Sequence, residues 1–227
     1  MLLNGHIACK IGFEYRRFFN ATCVSPGIGQ STAYARSLTS HIWTFDDALE
    51  DISNIYFNYF KSEGKVFHFF VCPHLVDNWE CGKYDYVRSK LGNKNANMLN
   101  WSKIQQLQEA GNIIGSHGLD HESFSNMSEN QMIDQLEQSK ELIFKRTGFN
   151  SDSFAFPYGK VSNSKLNGIK IARNSYNEVY LSDNSQKIGE LSDGVYNRRH
   201  CEFGSCSYRG LLIGYLNVIF GLKKWQY

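Results

Sequence analysis

The chain has 227 residues, 42% of them hydrophobic and 15% aromatic, enough for one sizeable core and too few for two comfortable ones. Its formal charge of +2, with no basic run longer than a pair, gives no footing for a polyanionic partner such as nucleic acid. Six cysteines (Cys9, Cys23, Cys72, Cys81, Cys201 and Cys206) carry no paired metal-knuckle spacing and are expected to be reduced thiols.

The opening stretch MLLNGHIACKIGFEYRRFF is interrupted by Asn4, His6, Lys10 and Glu14 before any apolar run reaches signal-peptide length, so a cytoplasmic location is expected. HIWTF, residues 41–45, reads as a strand. The segment after it sets Leu49, Ile52, Ile55, Tyr56 and Tyr59 on one helical face and stops at Gly64. KVFHFFVC is a second strand, ended by Pro73, and the polar stretch over residues 77–97 is expected to be a loop. NWSKIQQLQEAG then reads as a helix and NIIGS as a short strand.

Ser128 and Gln131 form a capping-box pattern at the head of another helix. Its stripe runs through Met132, Leu136, Ser139 or Lys140, Ile143 and Phe144 to Gly148. SDSFAF is a fourth strand, and beyond Gly159 the pattern weakens to short strands around EVYLS and GVYNRR. The apolar segment 210–225 is too short to span a bilayer; it reads as a closing helix on the core, or as a helix lying on a membrane surface with Lys223, Lys224 and Trp225 at the headgroups. Strands alternating with helical stretches predict a single α/β domain, most simply a closed or nearly closed barrel.

The chemistry-bearing residues fall where proposed strands stop. In a parallel β/α barrel those ends open onto one face, so Asp46 and Asp47, the HGLDH segment at 117–121 and PYG at 157–159 are expected to meet. His117 and His121, four apart, project from one side if the segment makes a helical turn, a spacing suited to one metal ion; a core histidine beside a surface one is an equal reading. A zinc protease would need Glu after the first His, where this chain has Gly118. A carboxylate from Asp46 or Asp47 would complete a three-ligand site and leave the other acid free to take a proton, although one Asp could equally serve as a helix N-cap. The Pro157-Tyr158-Gly159 turn offers a backbone N–H for an oxyanion, and by itself is an ordinary turn.

In order, TFDDA, SHGLDH and FAFPYG resemble the first three motifs of the polysaccharide deacetylases, carbohydrate esterase family 4. VFHFFVCP and the approach NWSKIQQLQEAGNIIG resemble the family's spacer segments, so the likeness covers roughly residues 40–160. It implies a distorted (β/α) barrel of seven or eight strands and metal-dependent N-deacetylation of an acetylated sugar. Carried over by position, Asp46 matches the catalytic base. Asp47, His117 and His121 match the ligands of a divalent metal, normally zinc. Tyr158 matches the residue whose backbone N–H helps bind the oxyanion.

The chain departs from the family pattern at several points. Many members have Arg where this chain has Ala155; Arg198 or Arg199 is a candidate substitute, a surface role being an equal alternative. Ala48 stands where Gly is usual after the two acids. No fourth motif and no Leu-x-His motif is recognisable, and His200 is the candidate general acid. Among the remaining histidines, His6, His41 and His68 read as structural or surface residues, while His74 is placed to line the mouth; Trp79, Tyr84 and Tyr86 are candidates for stacking on a sugar. The expected substrate is a precursor or unit of a bacterial surface polysaccharide or lipopolysaccharide O-antigen. The alternatives are a non-catalytic sugar-binding homologue and a deformylase acting on an amino sugar.

Overall fold

A computed structural model of the chain describes residues 33–35, 43–64, 66–159, 166–183 and 189–201. Its first elements are β1 (Ala33–Ala35), β2 (Trp43–Phe45) and α1 (Glu50–Ile55), which runs on through a π-helical turn at Tyr56–Phe60 and a 3-10 turn at Lys61–Glu63. The end foreseen at Gly64 is realised, with Gly64 at φ +62°. β3 (Phe67–Val71) follows and alternates strictly. Phe67, Phe69 and Val71 join the larger core with Phe45, Ile52, Tyr56 and Ile104, while Phe70 packs with Ala155 and Tyr180 on the opposite face. His68 stacks on Phe70 at 4.3 Å and its Nε2 lies 2.6 Å from the Ser153 hydroxyl, the structural part foreseen for it. Every residue of β3 is buried, as in a parallel strand covered on both sides.

The stretch over 77–97 is not a loop. It contributes to α2 (Pro73–Glu80) and contains α3 (Tyr84–Leu91). Pro73 sits in the first turn of α2, where its missing N–H costs nothing, and Gly92 closes α3 in the left-handed conformation. Polar composition hid an apolar side carried by Leu75, Val76 and Val87, all fully buried. Trp79 meets Tyr84 edge-on at 4.5 Å, and the Arg88 guanidinium lies over Trp79 at 5.4 Å. These two rings lock the helices together.

α4 (Trp101–Glu109) is capped by the Asn100 side chain and leads into β4 (Ile113–Ser116). α5 (Glu129–Thr147) opens on the foreseen capping box of Ser128 and Gln131. Its buried line is Met132, Leu136, Ser139, Ile143 and Thr147; Phe144, expected in the stripe, is exposed. β5 (Ser153–Ala155) follows.

The weakly patterned region after Gly159 holds more than two strands: α6 (Leu166–Ser175), β6 (Glu178–Leu181), β7 (Gly189–Ser192), β8 (Val195–Asn197) and β9 (Arg199–Cys201). α6 interleaves Gly168, Lys170 and Asn174 with its apolar residues, which blurs the helical period. It is held by Ala172, and just beyond it by Tyr176, whose hydroxyl donates to the Leu136 carbonyl of α5 at 2.9 Å.

The sheet order is β7-β8-β6-β5-β4-β3-β2-β1-β9, with β2, β3, β4, β5, β6 and β8 mutually parallel. β8 pairs with β6 on one side of this series and β9 pairs with β1 on the other, yet only Arg198 separates β8 from β9. The sheet must therefore curl until its two sides meet, giving a distorted (β/α) barrel. β7 adds an antiparallel arm on β8. No helix among the described residues is long and apolar enough to cross a membrane, and segment 210–225 lies outside the described residues.

Candidate metal centre at the mouth of the barrel

The carboxyl ends of the parallel strands bring distant residues together. Asp46 and Asp47 follow β2, Cys72 follows β3, His117 follows β4, the Pro157-Tyr158 turn follows β5 and Arg198 follows β8. Described non-glycine residues with positive φ gather at this mouth: Asp47 (70°), Ala48 (52°), His121 (60°) and Tyr158 (62°). Each left-handed residue carries a conformational cost of order 1–2 kcal/mol, and such strain concentrates where a site demands an unusual backbone path. Ala48 shows why Gly is usual at its position: the chain reverses there.

The HGLDH segment is not a helical turn. Gly118 at φ +76° and His121 at +60° fold it into an irregular loop. Among the bonds that pin that loop, Leu119 N–H donates to Gln135 Oε1 at 3.0 Å, His74 N–H donates to the Leu119 carbonyl at 3.0 Å, and the Ser139 hydroxyl donates to the Gly118 carbonyl at 3.2 Å. His74 thus reaches the mouth through its backbone. The loop sets the two imidazole rings 5.2 Å apart, a juxtaposition made by backbone reversal where helical periodicity had been expected.

His117 Nδ1 lies 2.8 Å from the Ala155 carbonyl oxygen. A carbonyl only accepts, so Nδ1 carries a proton, and in that tautomer of the neutral ring Nε2 is the nitrogen turned to the site with a lone pair to offer a metal. That Nε2 is 3.8 Å from Asp47 Oδ1, and His121 Nε2 is 3.3 Å from the same oxygen. Asp47 Oδ1 is buried and has no hydrogen-bond partner among the described residues. An orphaned buried carboxylate oxygen facing two imidazole nitrogens is costly alone and fits a cation between them. The three donor atoms lie within 4.8 Å of one another. Burial lowers the His121 pKa against the opposing pull of Asp47, which favours the neutral, ligating imidazole. Two imidazoles and one carboxylate form the donor set of an open, catalytic type of metal site.

Asp46 stands beside this group and is held differently. Arg198 Nη1 and Nη2 donate to Asp46 Oδ1 and Oδ2 at 2.7 and 2.9 Å, and Nη1 also donates to the Thr44 hydroxyl at 3.0 Å. The guanidinium, 0% exposed, lies 5.1 Å from the Phe70 ring and 5.8 Å from the Tyr180 ring. Of the two arginines considered for the place of the missing one, the structure brings Arg198 to Asp46. The side chain of Arg199 lies outside the described residues. Burial by itself raises the Asp46 pKa, but Arg198, His117 and His121 outweigh it and hold the carboxyl below its ordinary range. Asp46 Oδ2 lies 3.8 Å from His117 Nε2, but both Asp46 oxygens accept hydrogen bonds from Arg198 and only the Asp47, His117 and His121 donor atoms form the mutually close set among the described residues, so this carboxylate borders the metal-ligand group. The two acids diverge because the chain leaves the strand conformation at Asp47, where φ is +70°.

Phe156, Pro157, Tyr158 and Gly159 form a turn closed by Gly159 N–H to the Phe156 carbonyl at 2.9 Å. Pro at the second place and φ +62° at the third define a type II turn. Among the described residues no acceptor takes the Tyr158 N–H. The Tyr158 ring is 60% exposed and lies 4.8 Å from the His121 ring. The backbone of His200 lies in β9 opposite Tyr34, and its side chain lies outside the described residues. Cys72, a free thiol, donates to the His117 carbonyl at 3.2 Å; burial, then Asp47, Asp120 and Asp46, pushes its pKa well up, so it stays a neutral support.

The profile of the polysaccharide deacetylase family matches residues 37–175. Among solved structures, the chain is similar to a Streptococcus pyogenes deacetylase, PplD, in complex with acetate, with 21% identity, TM-score 0.52, and coverage of 69% of this chain and 62% of that one. It is also similar to IcaB from Ammonifex degensii, with 17% identity, TM-score 0.55, and coverage of 77% and 71%. A de-N-acetylase from Aggregatibacter actinomycetemcomitans gives 14%, 0.55, and coverage of 75% and 73%. At these identities the likeness is one of fold. No curated protein gives a significant match.

Proposed function

The chain belongs to the polysaccharide deacetylase family, and on that footing we propose that it removes the acetyl group from an N-acetylated sugar by metal-dependent hydrolysis. One observation carries the reading: Asp46, ionised and clasped by Arg198, stands next to the Asp47, His117 and His121 donor set without being part of it. A divalent cation held by Asp47, His117 and His121, zinc being the natural choice for that donor set, would polarise the acetamide and acidify water.

The chain's own residues supply the rest. Asp46, kept ionised at neutral pH by Arg198, accepts the proton of the attacking water. Arg198 is a positioning residue: its two bonds fix the plane of the carboxylate while leaving lone pairs on both oxygens. The Tyr158 N–H donates to the oxygen on which negative charge develops. His200 is the proposed donor of the proton that the departing amine needs.

The substrate we propose is a precursor or unit of a bacterial surface polysaccharide, lipopolysaccharide O-antigen included, met in the cytoplasm. The near-neutral formal charge of +2 supports an uncharged sugar over a densely anionic polymer. With Arg198 on Asp46, the absence of Arg at position 155 gives no support to a non-catalytic binding role. The test is acetate release from N-acetyl sugars on nucleotide, lipid and polymer carriers by zinc-loaded protein, with formate release measured in parallel. Acetate lost on Asp46→Asn supports the reading. Formate in place of acetate makes the protein a deformylase, and neither acid from any carrier leaves a sugar-binding homologue.

A further inference from the structure

The buried line of α5 runs through Met132, Leu136, Ser139 and Ile143. Ser139 interrupts an apolar series, and its fully buried hydroxyl would be costly without partners. Those partners lie at the metal-ligand loop. Ser139 Oγ is 2.6 Å from Ser116 Oγ at the end of β4, and it donates to the Gly118 carbonyl at 3.2 Å. Gly118 N–H in turn donates to Ser116 Oγ at 3.2 Å. Each hydroxyl has one proton, and a carbonyl only accepts. The Ser139 proton therefore goes to Gly118, and the Ser116 proton goes to Ser139. The bonds close a ring, from Gly118 N–H to Ser116, from Ser116 to Ser139, and from Ser139 back to the Gly118 carbonyl. The Tyr176 hydroxyl, whose own proton goes to the Leu136 carbonyl, borders both serines and offers them only lone pairs.

We propose that Ser116 and Ser139 are positioning residues: the ring they close around Gly118 sets the loop between His117 and His121 in its ligand-presenting form before any cation arrives. The inference rests on the metal-site reading of those two histidines, while the ring itself needs no metal. It encloses the His117 backbone, because Ser116 precedes that histidine and Gly118 follows it. The neighbouring groups are held from both sides. His117 N–H donates to the Val71 carbonyl at 2.8 Å, and the Cys72 thiol donates to the His117 carbonyl at 3.2 Å, both from the β3 side. On the α5 side Gln135 Oε1 accepts from the Leu119 N–H at 3.0 Å. With His74 N–H on the Leu119 carbonyl, every backbone donor and acceptor from His117 to Leu119 has a partner. A segment so held loses little further freedom when it takes up a cation, which lowers the ordering cost of binding. In a buried ring each bond polarises the next, and loss of one hydroxyl leaves a Gly118 group and the other serine short of partners. The two serines are therefore expected to act as one unit.

The experiment measures zinc Kd for the full chain and its variants Ser116→Ala, Ser139→Ala and both together, with buffered zinc alone as the ligand. Each single variant is expected to weaken zinc binding by about tenfold or more, and the double variant by no more than about twice the larger single loss. Ser53→Ala in α1 is the control. That buried hydroxyl donates to the Glu50 carbonyl at 2.9 Å, and its removal is expected to lower Tm without moving Kd. A second measurement, on metal-free protein, follows hydrogen exchange of the Gly118 and Leu119 amides. Their exchange is expected to be slow in the wild type and faster by about tenfold or more in Ser139→Ala. Kd unchanged in both single variants, or losses that multiply in the double variant, overturns the proposal, as does amide exchange that the serines do not slow. Exchange as expected in a wild type that takes up no zinc overturns the metal reading and keeps the ring as the holder of the loop.

Discussion

Arg198 and Asp46, 152 positions apart, meet through two hydrogen bonds of 2.7 and 2.9 Å inside the barrel. The pair joins the close of the sheet, where β8 passes into β9, to the end of β2. Breaking it from one side strands the other charge in a buried setting. Arg198→Met is expected to cost about 3–5 kcal/mol of folding stability, read by urea denaturation. Arg198→Lys keeps the charge but loses the planar fork, and a fall in kcat with KM and zinc content held would identify a positioning role.

The two neighbouring acids should separate cleanly. Asp47→Asn is expected to lower zinc affinity strongly, because its Oδ1 faces both imidazole nitrogens, at 3.3 and 3.8 Å. Asp46→Asn should retain zinc and lose acetate release by about two to four orders of magnitude. Metal analysis of the purified variants alongside acetate assay distinguishes them, and equal zinc loss in both would remove Asp46 from its proposed role as base.

Acid sensitivity follows from the lowered pKa of Asp46. A carboxyl whose folded value lies below its unfolded value of about 3.9 contributes stability that is complete above that unfolded value. The contribution drains away as pH falls through the lower folded value. Denaturation midpoints measured from neutral pH down to about pH 2 should therefore fall more steeply in the wild type than in Asp46→Asn. The variant starts from a lower midpoint, because Arg198 is left without its carboxylate, but its acid slope is shallower.

Zinc should stabilise the fold by mass action. At a free concentration one hundred times Kd the gain is about 2.7 kcal/mol, visible as a rise in Tm that a chelator reverses. His121→Ala is expected to abolish that rise. A Tm indifferent to zinc in the wild type would count against the whole donor set.

Gly159 tests the turn that presents the Tyr158 N–H. A Cβ there, at φ +61°, would stand 2.5 Å from Ser182 Cβ and 3.0 Å from Ser182 N, with little room to yield. Gly159→Ala is expected to cost about 1–3 kcal/mol and to lower kcat as the turn shifts. Gly111→Ala, at φ +91° with nothing within 4 Å, is the control. It should cost about 1 kcal/mol and leave acetate release intact.

Much of the layout was legible along the chain. β3 announced itself through an unbroken β-forming run, α5 through its capping box, and Asp46, Asp47, His117, His121 and Tyr158 through motifs set at strand ends. α2 and α3 were hidden under polar composition, since their buried side amounts to little more than Leu75, Val76 and Val87. α6 was hidden because Gly168 and Asn174 dilute its period.

The sequence alone determined which residues stand at strand ends, because strand length and the breaks after it are local properties of side-chain shape and backbone freedom. It could not decide between Arg198 and Arg199, nor say that the two imidazoles meet through a left-handed loop. Closure of the sheet brings Arg198, the residue between β8 and β9, to Asp46 as the two sides join. The pairing of His117 with the Ala155 carbonyl was likewise a tertiary matter. Hydrogen bonds between elements depend on the curvature of the assembled sheet, a quantity that no single segment carries.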